Sequence, residues 1–202
     1  MPIRCQTINP EDSRLEEFIK KFEETNIFHS PEWAKIVSIT NGFKVFPLAA
    51  VCNNQLVALA VPVLVKTNKN IRLKYLNRII LYSSPLYLPT NDGIAGIQII
   101  LNEIKKKSVK QSLFAEIRNN ISFSILENEK KYWKYIPYEN YLINLEPGIN
   151  EIWNNLSKYT RNHIRKGEKK GLEIKEIINF QEYKDAVLLI KTMYQNKKIP
   201  FV

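Results

Sequence analysis

Several features that are common in proteins are scarce in this sequence. Its 202 residues include two cysteines, Cys5 and Cys52, and two histidines. Two cysteines are too few, and too far apart in the chain, to indicate a disulfide framework, and no CxxC or HExxH spacing points to a zinc site. We therefore predict no bound metal and a reduced, cytoplasmic setting.

Long apolar runs and glycines are also scarce. The longest apolar run, Leu56 to Val65, is about half of what a membrane-spanning helix needs, and residues 1–14 contain no signal-peptide core. The six glycines form no glycine-rich loop of the kind that cradles a pyrophosphate. We expect a chain without a transmembrane segment, able at most to associate peripherally with a membrane.

Core-forming side chains and positive charge are abundant. Hydrophobic residues make up 45% of the chain and aromatic residues 11%, which is enough to build a folded core. The formal net charge of +10 favours an anionic partner. Nucleic acid, a phosphorylated metabolite and a membrane surface all fit, and charge alone does not choose among them.

The positive charge concentrates in the stretch Tyr141 to Ile177. Apolar residues at helical spacing predict one long helix from Ile149 to Lys170, and Gly171 is a natural residue to end it. Beyond that glycine, the alternation of apolar and charged residues from Leu172 to Ile177 predicts a short, half-buried strand.

The second half of this predicted helix carries the candidate binding residues. Between positions 158 and 170 it has six basic side chains against one acid, Glu168. Arg161 and Arg165 lie four residues apart on one helical face, and a guanidinium fork suits phosphate well. The alternative is a solvated face whose arginines are tied to local acids such as Glu168.

Helical and strand patterns alternate along the rest of the chain. Residues 44–65 predict a central antiparallel hairpin whose turn lies at Cys52 to Gln55, with Pro47 and Pro62 at bulges or unpaired positions. One helix is predicted to begin at Pro31. Three others are predicted at Ile94 to Lys107, within 122–131 and at Phe180 to Lys197. This pattern is typical of an α/β (α+β) domain.

The two histidines do not identify a catalytic residue. His29 directly precedes a helix cap, which favours a structural hydrogen-bonding role over that of a base. His163 lies within the basic helix. Two scattered histidines support no Ser-His-Asp or Cys-His arrangement, so no catalytic residue is assigned.

Four segments, taken in order, resemble a known family. They are FHSPEWA (28–34), the hairpin LAAVCNNQLVALAVPVL (48–64), YSSPL (82–86), and YLINL (141–145) followed by IWNNLSKYTRNHIRKGEKKGLEI. Together they are similar to FemABX-type peptidyltransferases and to related GNAT-like acyltransferases of cell-envelope biosynthesis.

The resemblance implies a GNAT-like fold, a mixed, largely antiparallel sheet flanked by helices. It implies one such module at 1–177 and the start of a second at 178–202. The activity it implies is transfer of an acyl or aminoacyl group to an amine of a peptidoglycan precursor or polysaccharide, once a second module completes the enzyme. The donor would be aminoacyl-tRNA or acyl-CoA, with no permanently bound cofactor.

The resemblance also implies an acceptor site. It places Arg161 and Arg165, and with them Lys35, near the phosphates of a phosphorylated cell-envelope precursor, and it makes tRNA a further candidate partner. Lys158 and Lys169 lie next to the arginines on the predicted helix and complete the candidate binding residues. Two alternatives remain. The charge and the basic helix also fit a nucleic-acid-binding module, and the chain could serve only as a non-catalytic interaction domain.

Overall fold

The computed structural model describes residues 2–66, 76–118, 132–139 and 142–198. The chain divides into two compact units, Met1–Asn140 and Tyr141–Val202, called here the first and the second unit. The modules expected at 1–177 and 178–202 stay a prediction. The helix expected within 122–131 lies outside the described residues.

The first unit is built on strands that form two four-stranded sheets. The strands are β1 (Arg4–Thr7), β2 (Phe43–Val45), β3 (Leu48–Cys52), β4 (Gln55–Ala60), β5 (Val63–Val65), β6 (Arg78–Leu81), β7 (Leu86–Tyr87) and β8 (Phe114–Ile117). One sheet has the order β1-β3-β4-β7 and the other β2-β5-β6-β8. All described pairs are antiparallel except β6 with β8, which is parallel.

Helices cover both faces of this sheet system. They are α1 (Ser13–Ile19), α2 (Pro31–Ile39) and α3 (Asn91–Gln111), with a short 3-10 helix at Ile27–His29. Side chains of α3 pack with Ala50 and Ala58 in one core cluster. Those of α1 pack with Ala49 and Leu59, on the opposite face of the same strands, in another.

The predicted fold class is confirmed for this unit. It has the α/β (α+β) composition, with a mixed, largely antiparallel sheet system flanked by helices. The helix predicted to begin at Pro31 is α2, and the helix predicted from Ile94 to Lys107 lies within the longer α3.

The hairpin predicted at 44–65 is confirmed. β3 pairs antiparallel with β4, and β2 pairs antiparallel with β5. Asn53 and Asn54 form the turn between β3 and β4 with φ values of 49° and 63°. Asparagine tolerates this left-handed region better than most residues, so a two-residue turn forms there without glycine.

Two prolines divide the hairpin between the two sheets. Pro47 lies between β2 and β3, and Pro62 lies between β4 and β5. Their carbonyls still accept hydrogen bonds, from Ile8 N–H at 2.9 Å and from Phe46 N–H at 3.1 Å respectively. Because proline has no N–H to donate, both ladders break at these positions, as the sequence predicts.

The second unit contains three described helices, α4 (Ile149–Asn155), α5 (Lys158–Lys169) and α6 (Phe180–Asn196). The prediction of a single long helix is wrong, because Ser157 starts a new helix by accepting a hydrogen bond from Thr160 N–H at 3.1 Å.

The prediction of a strand at Leu172 to Ile177 is also wrong. Residues 172–178 form no strand, and no described strand of this unit offers them a partner. The helix predicted at Phe180 is confirmed.

Candidate functional site

The chain changes from one sheet to the other between β6 and β7, and this point is called here the opening. β6 pairs with β8 from Arg78 opposite Phe114 to Leu81 opposite Ile117. A few residues later the same stretch of chain, as β7, pairs with β4 in the other sheet. The segment between β6 and β7 therefore leaves the carboxyl end of the parallel pair. Ligands in α/β folds bind at such carboxyl ends, so this opening is the candidate site.

Two of the four segments that resemble the FemABX family contact each other at this opening. Phe28, from FHSPEWA, stacks on Tyr82, from YSSPL, with ring centroids 5.5 Å apart and an angle of 29° between the planes. Trp33 meets the same tyrosine edge-on at 5.6 Å and meets Phe28 at 5.0 Å. These three half-buried rings are called here the aromatic cluster. Half-buried rings offer a surface on which a ligand ring can stack.

His29 ties the two segments together by hydrogen bonds. Its Nδ1 accepts from Asn26 N–H at 3.2 Å, so Nε2 carries the proton and donates to Ser84 O at 2.8 Å. The side chain is only 4% exposed, and this burial lowers the pKa of His29 below its usual 6.5. A neutral imidazole with both nitrogens engaged holds the loop, which agrees with the structural role expected from the sequence.

Sequence reasoning missed Arg118 at this opening. Its N–H donates to Leu81 O at 2.9 Å, which places it at the end of the parallel pair. Its guanidinium lies 5.3 Å from the Tyr82 ring, and its Nε donates to Glu116 at 2.7 Å. The available signal was a basic residue directly after the short, largely apolar stretch Leu113 to Ile117, because the end of a strand is a common place for a functional side chain in α/β folds.

The start of α3 does not resemble a pyrophosphate cradle. A Cβ at Gly93 would overlap the carbonyl oxygen of Leu88, so this glycine is needed for the helix to begin directly after β7. The side chain of Thr90 already accepts from Gly93 N–H at 3.1 Å, and Asp92 puts a carboxylate in the first turn. An acid stabilises the helix N-terminus itself and opposes a second anion there.

Lys35 lies on α2, beside a cavity of about 260 Å³ in the first unit. Asn9, Glu11 and Ser38 supply other polar groups to its lining. The Lys35 ammonium is 3.7 Å from Glu11 Oε1, and both side chains are largely exposed. An exposed pair at this distance is weak, so the lysine can turn toward an anion at little cost.

The other four predicted binding residues share one face of α5. Lys158, Arg161, Arg165 and Lys169 are separated by three, four and four residues, which keeps them within one helical stripe. They are called here the basic stripe. The structure thus groups four of the five predicted residues on one helix, while Lys35 belongs to the other unit.

The two arginines of the basic stripe differ in what they contact. One nitrogen of Arg161, Nη1, donates to Leu156 O at 2.6 Å, Asn154 O at 2.9 Å and Trp153 O at 3.3 Å, and so caps the end of α4. The Arg165 guanidinium is exposed and lies 5.4 Å from the Trp153 ring. Among the described residues no acid pairs with either arginine, so the local ion pairs of the alternative interpretation do not form.

The residues that the structure describes give little support to a reactive cysteine, a metal site or a membrane-spanning helix. Cys5 and Cys52 are both free thiols. Burial raises the pKa of Cys5 to about 11, with a smaller contribution from Glu103, so this thiol stays protonated and unreactive. No group of three or more metal-ligating side chains occurs there, and no helix of the part described has the length and apolarity needed to cross a bilayer.

Comparison with known proteins finds similarity in structure only. No family model and no curated protein matches the sequence. A Clostridium acetobutylicum protein solved with acetyl-CoA and described as a predicted acetyltransferase has 16% identity and a TM-score of 0.49 over 73% of this chain and 99% of its own. A ribosomal-protein-alanine N-acetyltransferase from Brucella melitensis has 9% identity and a TM-score of 0.46, covering 71% of this chain and 100% of its own.

A third example is an aminoglycoside 6'-N-acetyltransferase from Acinetobacter baumannii, with 12% identity and a TM-score of 0.42 over 70% of this chain and 99% of its own. These structural neighbours are acetyltransferases. At these identities the likeness concerns the fold, and their substrates are properties of those proteins.

Proposed function

We propose that this chain is the acceptor-binding part of an N-acyltransferase of the FemABX type, acting on an amine of a phosphorylated cell-envelope precursor. The observation that carries the proposal is the contact between FHSPEWA and YSSPL at the point where β6 and β8 part from β7. Two segments that are distant in sequence, and that were singled out by family resemblance, contact each other at the carboxyl end of the parallel pair.

The aromatic cluster and Arg118 supply the chemistry for an acceptor at this opening. Aromatic rings bind the apolar face of a sugar or base, and a guanidinium beside them can bind a carboxylate or phosphate. Within the first unit the proposal adds Lys35 as a phosphate-binding group. In the second unit, considered by itself, the basic stripe is proposed to bind phosphate of the same class of ligand. In acyl transfer of the kind implied by the resemblance, positioning and electrostatic stabilisation contribute most of the catalysis, so no dedicated nucleophile is assigned.

The proposed donor is an activated acyl group, carried either by coenzyme A or by tRNA. The first turn of α3 argues against a coenzyme A pyrophosphate at that helix, because Asp92 is acidic and Gly93 is enclosed by the backbone of Leu88. The proposal therefore favours a donor bound outside the first unit, in keeping with a second module that begins near residue 178.

Calorimetry with a UDP-linked muropeptide tests the proposal. Arg165→Ala is the informative variant, because Arg161 also caps α4 and its removal would disturb the helix itself. Losing a charge-assisted contact to phosphate typically costs about 1.5 to 3 kcal/mol, roughly tenfold to more than a hundredfold in affinity. Lys21→Ala, a change at an exposed position just after α1, is the matched control and should leave binding unchanged.

Three results would contradict the proposal. They are no binding by the wild-type chain, equal affinities for wild type, Arg165→Ala and Lys21→Ala, and binding of generic RNA in place of the muropeptide. The last result, with affinity falling steeply as salt rises, would favour the nucleic-acid-binding alternative. The specific observation behind that alternative is that no described acid pairs with the arginines of the basic stripe.

A further inference from the structure

Trp33, in the first turn of α2, carries a polar atom that the fold does not use. Its indole nitrogen Nε1 is enclosed, and it has no hydrogen-bond partner among the residues that the structure describes. The indole N–H can only donate, and a buried donor that loses its water without gaining an acceptor destabilises the protein. Buried polar groups are nearly always paired, so this one calls for a physical reason.

The start of α2 and the core beneath it do not need the indole nitrogen. The helix is capped through the backbone N–H of Trp33, which donates to Ser30 Oγ at 3.1 Å. The buried contacts of α2 come from Ala34 and Val37, whereas Trp33 is only half-buried. A ring without an N–H would serve the fold equally well at this position.

The neighbouring rings do not replace the missing acceptor. The Trp33 ring meets the Phe28 ring at an angle of 81° and the Tyr82 ring at 76°. An N–H that points at the face of an aromatic ring gains a weak interaction, smaller than a hydrogen bond to oxygen. The indole N–H therefore keeps the capacity to bind an oxygen atom, and it lies at the opening, within the aromatic cluster.

The surroundings of the indole favour a neutral oxygen as the acceptor. An anionic oxygen loses more hydration than a carbonyl oxygen when it enters a site lined by aromatic rings. The Arg118 guanidinium, 5.3 Å from the Tyr82 ring, is the better partner for an anionic group of the same ligand. A carbonyl oxygen attached to a ring that stacks on the aromatic cluster fits the indole best.

We propose that Trp33 is a specificity-determining residue of the opening, whose indole N–H donates a hydrogen bond to an amide carbonyl of a ring ligand. Because Nε1 is enclosed, binding displaces the half-buried ring of Phe28 or Tyr82 and exchanges an edge contact for this hydrogen bond. The inference rests on the proposed function in taking the opening as the acceptor site. A sugar with an N-acetyl group has the required carbonyl, and the same sugar with a hydroxyl in its place lacks it.

Nuclear magnetic resonance of the 15N-labelled full chain tests this role directly. The chain has three tryptophans and hence three indole N–H signals, and the signal of Trp33 is identified by its loss in Trp33→Phe. Titration of wild type with N-acetylglucosamine should move the Trp33 indole proton downfield, as a new hydrogen bond does, and titration with glucose should not. The indole signal of Trp153, in the second unit, is the internal control and should not move.

An isosteric replacement separates the N–H from the packing of the ring. In 3-benzothienylalanine, introduced at position 33, a sulfur atom stands where tryptophan has its N–H, and the shape of the ring is kept. Affinity for N-acetylglucosamine should fall about fivefold, the contribution of one hydrogen bond between neutral groups, while affinity for glucose should not change. The same replacement at Trp153 should alter neither affinity.

Several results would overturn the proposal. They are binding of N-acetylglucosamine without a shift of the Trp33 signal, an equal loss of affinity for both sugars in the isosteric variant, and no binding of N-acetylglucosamine by wild type. An upfield Trp33 signal that no sugar moves would instead assign the N–H to the face of a neighbouring ring. The calorimetric test at Arg165 concerns the second unit, so a failure at Trp33 leaves that result to stand or fall separately.

Discussion

Gly93 in the first unit and Gly171 in the second both resist replacement, for opposite reasons. A Cβ at Gly93 would overlap the Leu88 carbonyl oxygen, although the backbone there is ordinary helix. At Gly171 a Cβ would meet nothing within 4 Å, but the backbone has a φ of +74°, which favours glycine. Gly93 is required by its neighbours in space, and Gly171 by its own backbone conformation.

The two units as a whole differ in the same way, in whether distant or local contacts determine their structure. In the first, strands and helices enclose side chains such as Leu59 and Ile100 that are fully buried. In the second, no described residue is buried, and helix ends are fixed locally, by Ser157 at the start of α5 and by Arg161 at the end of α4. Contacts distant in sequence stabilise the first unit, whereas capping within a few residues shapes the helices of the second.

The largest effect should come from Gly93→Ala. The new methyl group cannot avoid the Leu88 backbone, so α3 must shift away from β7 and from the core it covers. We expect a loss of about 3 kcal/mol in the free energy of unfolding, the upper end for overpacking, measured by urea denaturation. Gly148→Ala is the control, because a Cβ there meets nothing within 4 Å, and it should cost about 1 kcal/mol or less, since alanine is a poorer helix N-cap than glycine. Similar midpoints for the two variants would contradict the packing argument.

A smaller effect in the same unit should depend on pH. Burial lowers the folded-state pKa of His29, so the unfolded chain takes up this proton first as pH falls. His29 therefore contributes stability that is fully present above its ordinary pKa of 6.5 and is lost as pH falls below it toward the folded-state pKa. The slope can reach about 1.4 kcal/mol per pH unit for a single group.

The control for this pH dependence is His29→Gln, which can still donate to the Ser84 carbonyl but does not titrate. Its unfolding free energy, measured by urea denaturation across the pH range on both sides of the ordinary histidine pKa, should be lower overall but flatter with pH than that of wild type. Parallel curves for the two proteins would show that His29 is not the group responsible.

The smallest effect should come from Gly171→Ala in the second unit. At the end of α5, Gly171 N–H donates to Glu168 O at 2.9 Å and Leu172 N–H donates to Gly167 O at 3.1 Å, and the second bond needs the left-handed backbone at Gly171. Alanine should cost about 1 kcal/mol, seen as faster hydrogen exchange of the Leu172 amide. Gly171→Asn should recover part of the protection, since asparagine tolerates this conformation. Unchanged exchange in the alanine variant would rule out this account of the helix end.

Local sequence signals predicted much of the fold. The hairpin at 44–65 follows from two apolar runs around Asn53-Asn54, and the interruptions at Pro47 and Pro62 follow from the missing N–H of proline. The start of α2 follows from Ser30 and Pro31. Each of these features depends on residues close together in the chain, which is why the sequence carries them.

The prediction failed where two local signals competed or where a partner was required. Apolar periodicity continued past Leu156, but the Ser157 side chain capped a new helix and divided the predicted one. The alternation after Gly171 is typical of a strand, yet a strand exists only when another strand supplies hydrogen-bond partners. Periodicity describes which faces a segment could bury and does not say whether anything covers them.

The sequence by itself determined the fold class, the turns and caps, and the grouping of Lys158, Arg161, Arg165 and Lys169 on one helical face, because helical periodicity places them there. Only the tertiary structure decided that Phe28 stacks on Tyr82, that His29 holds Ser84 and that Arg118 joins them. Those contacts join residues that are far apart in the chain, at a point set by where one strand leaves its sheet for another. No pattern within a short window encodes that meeting, since it depends on how the whole sheet is assembled.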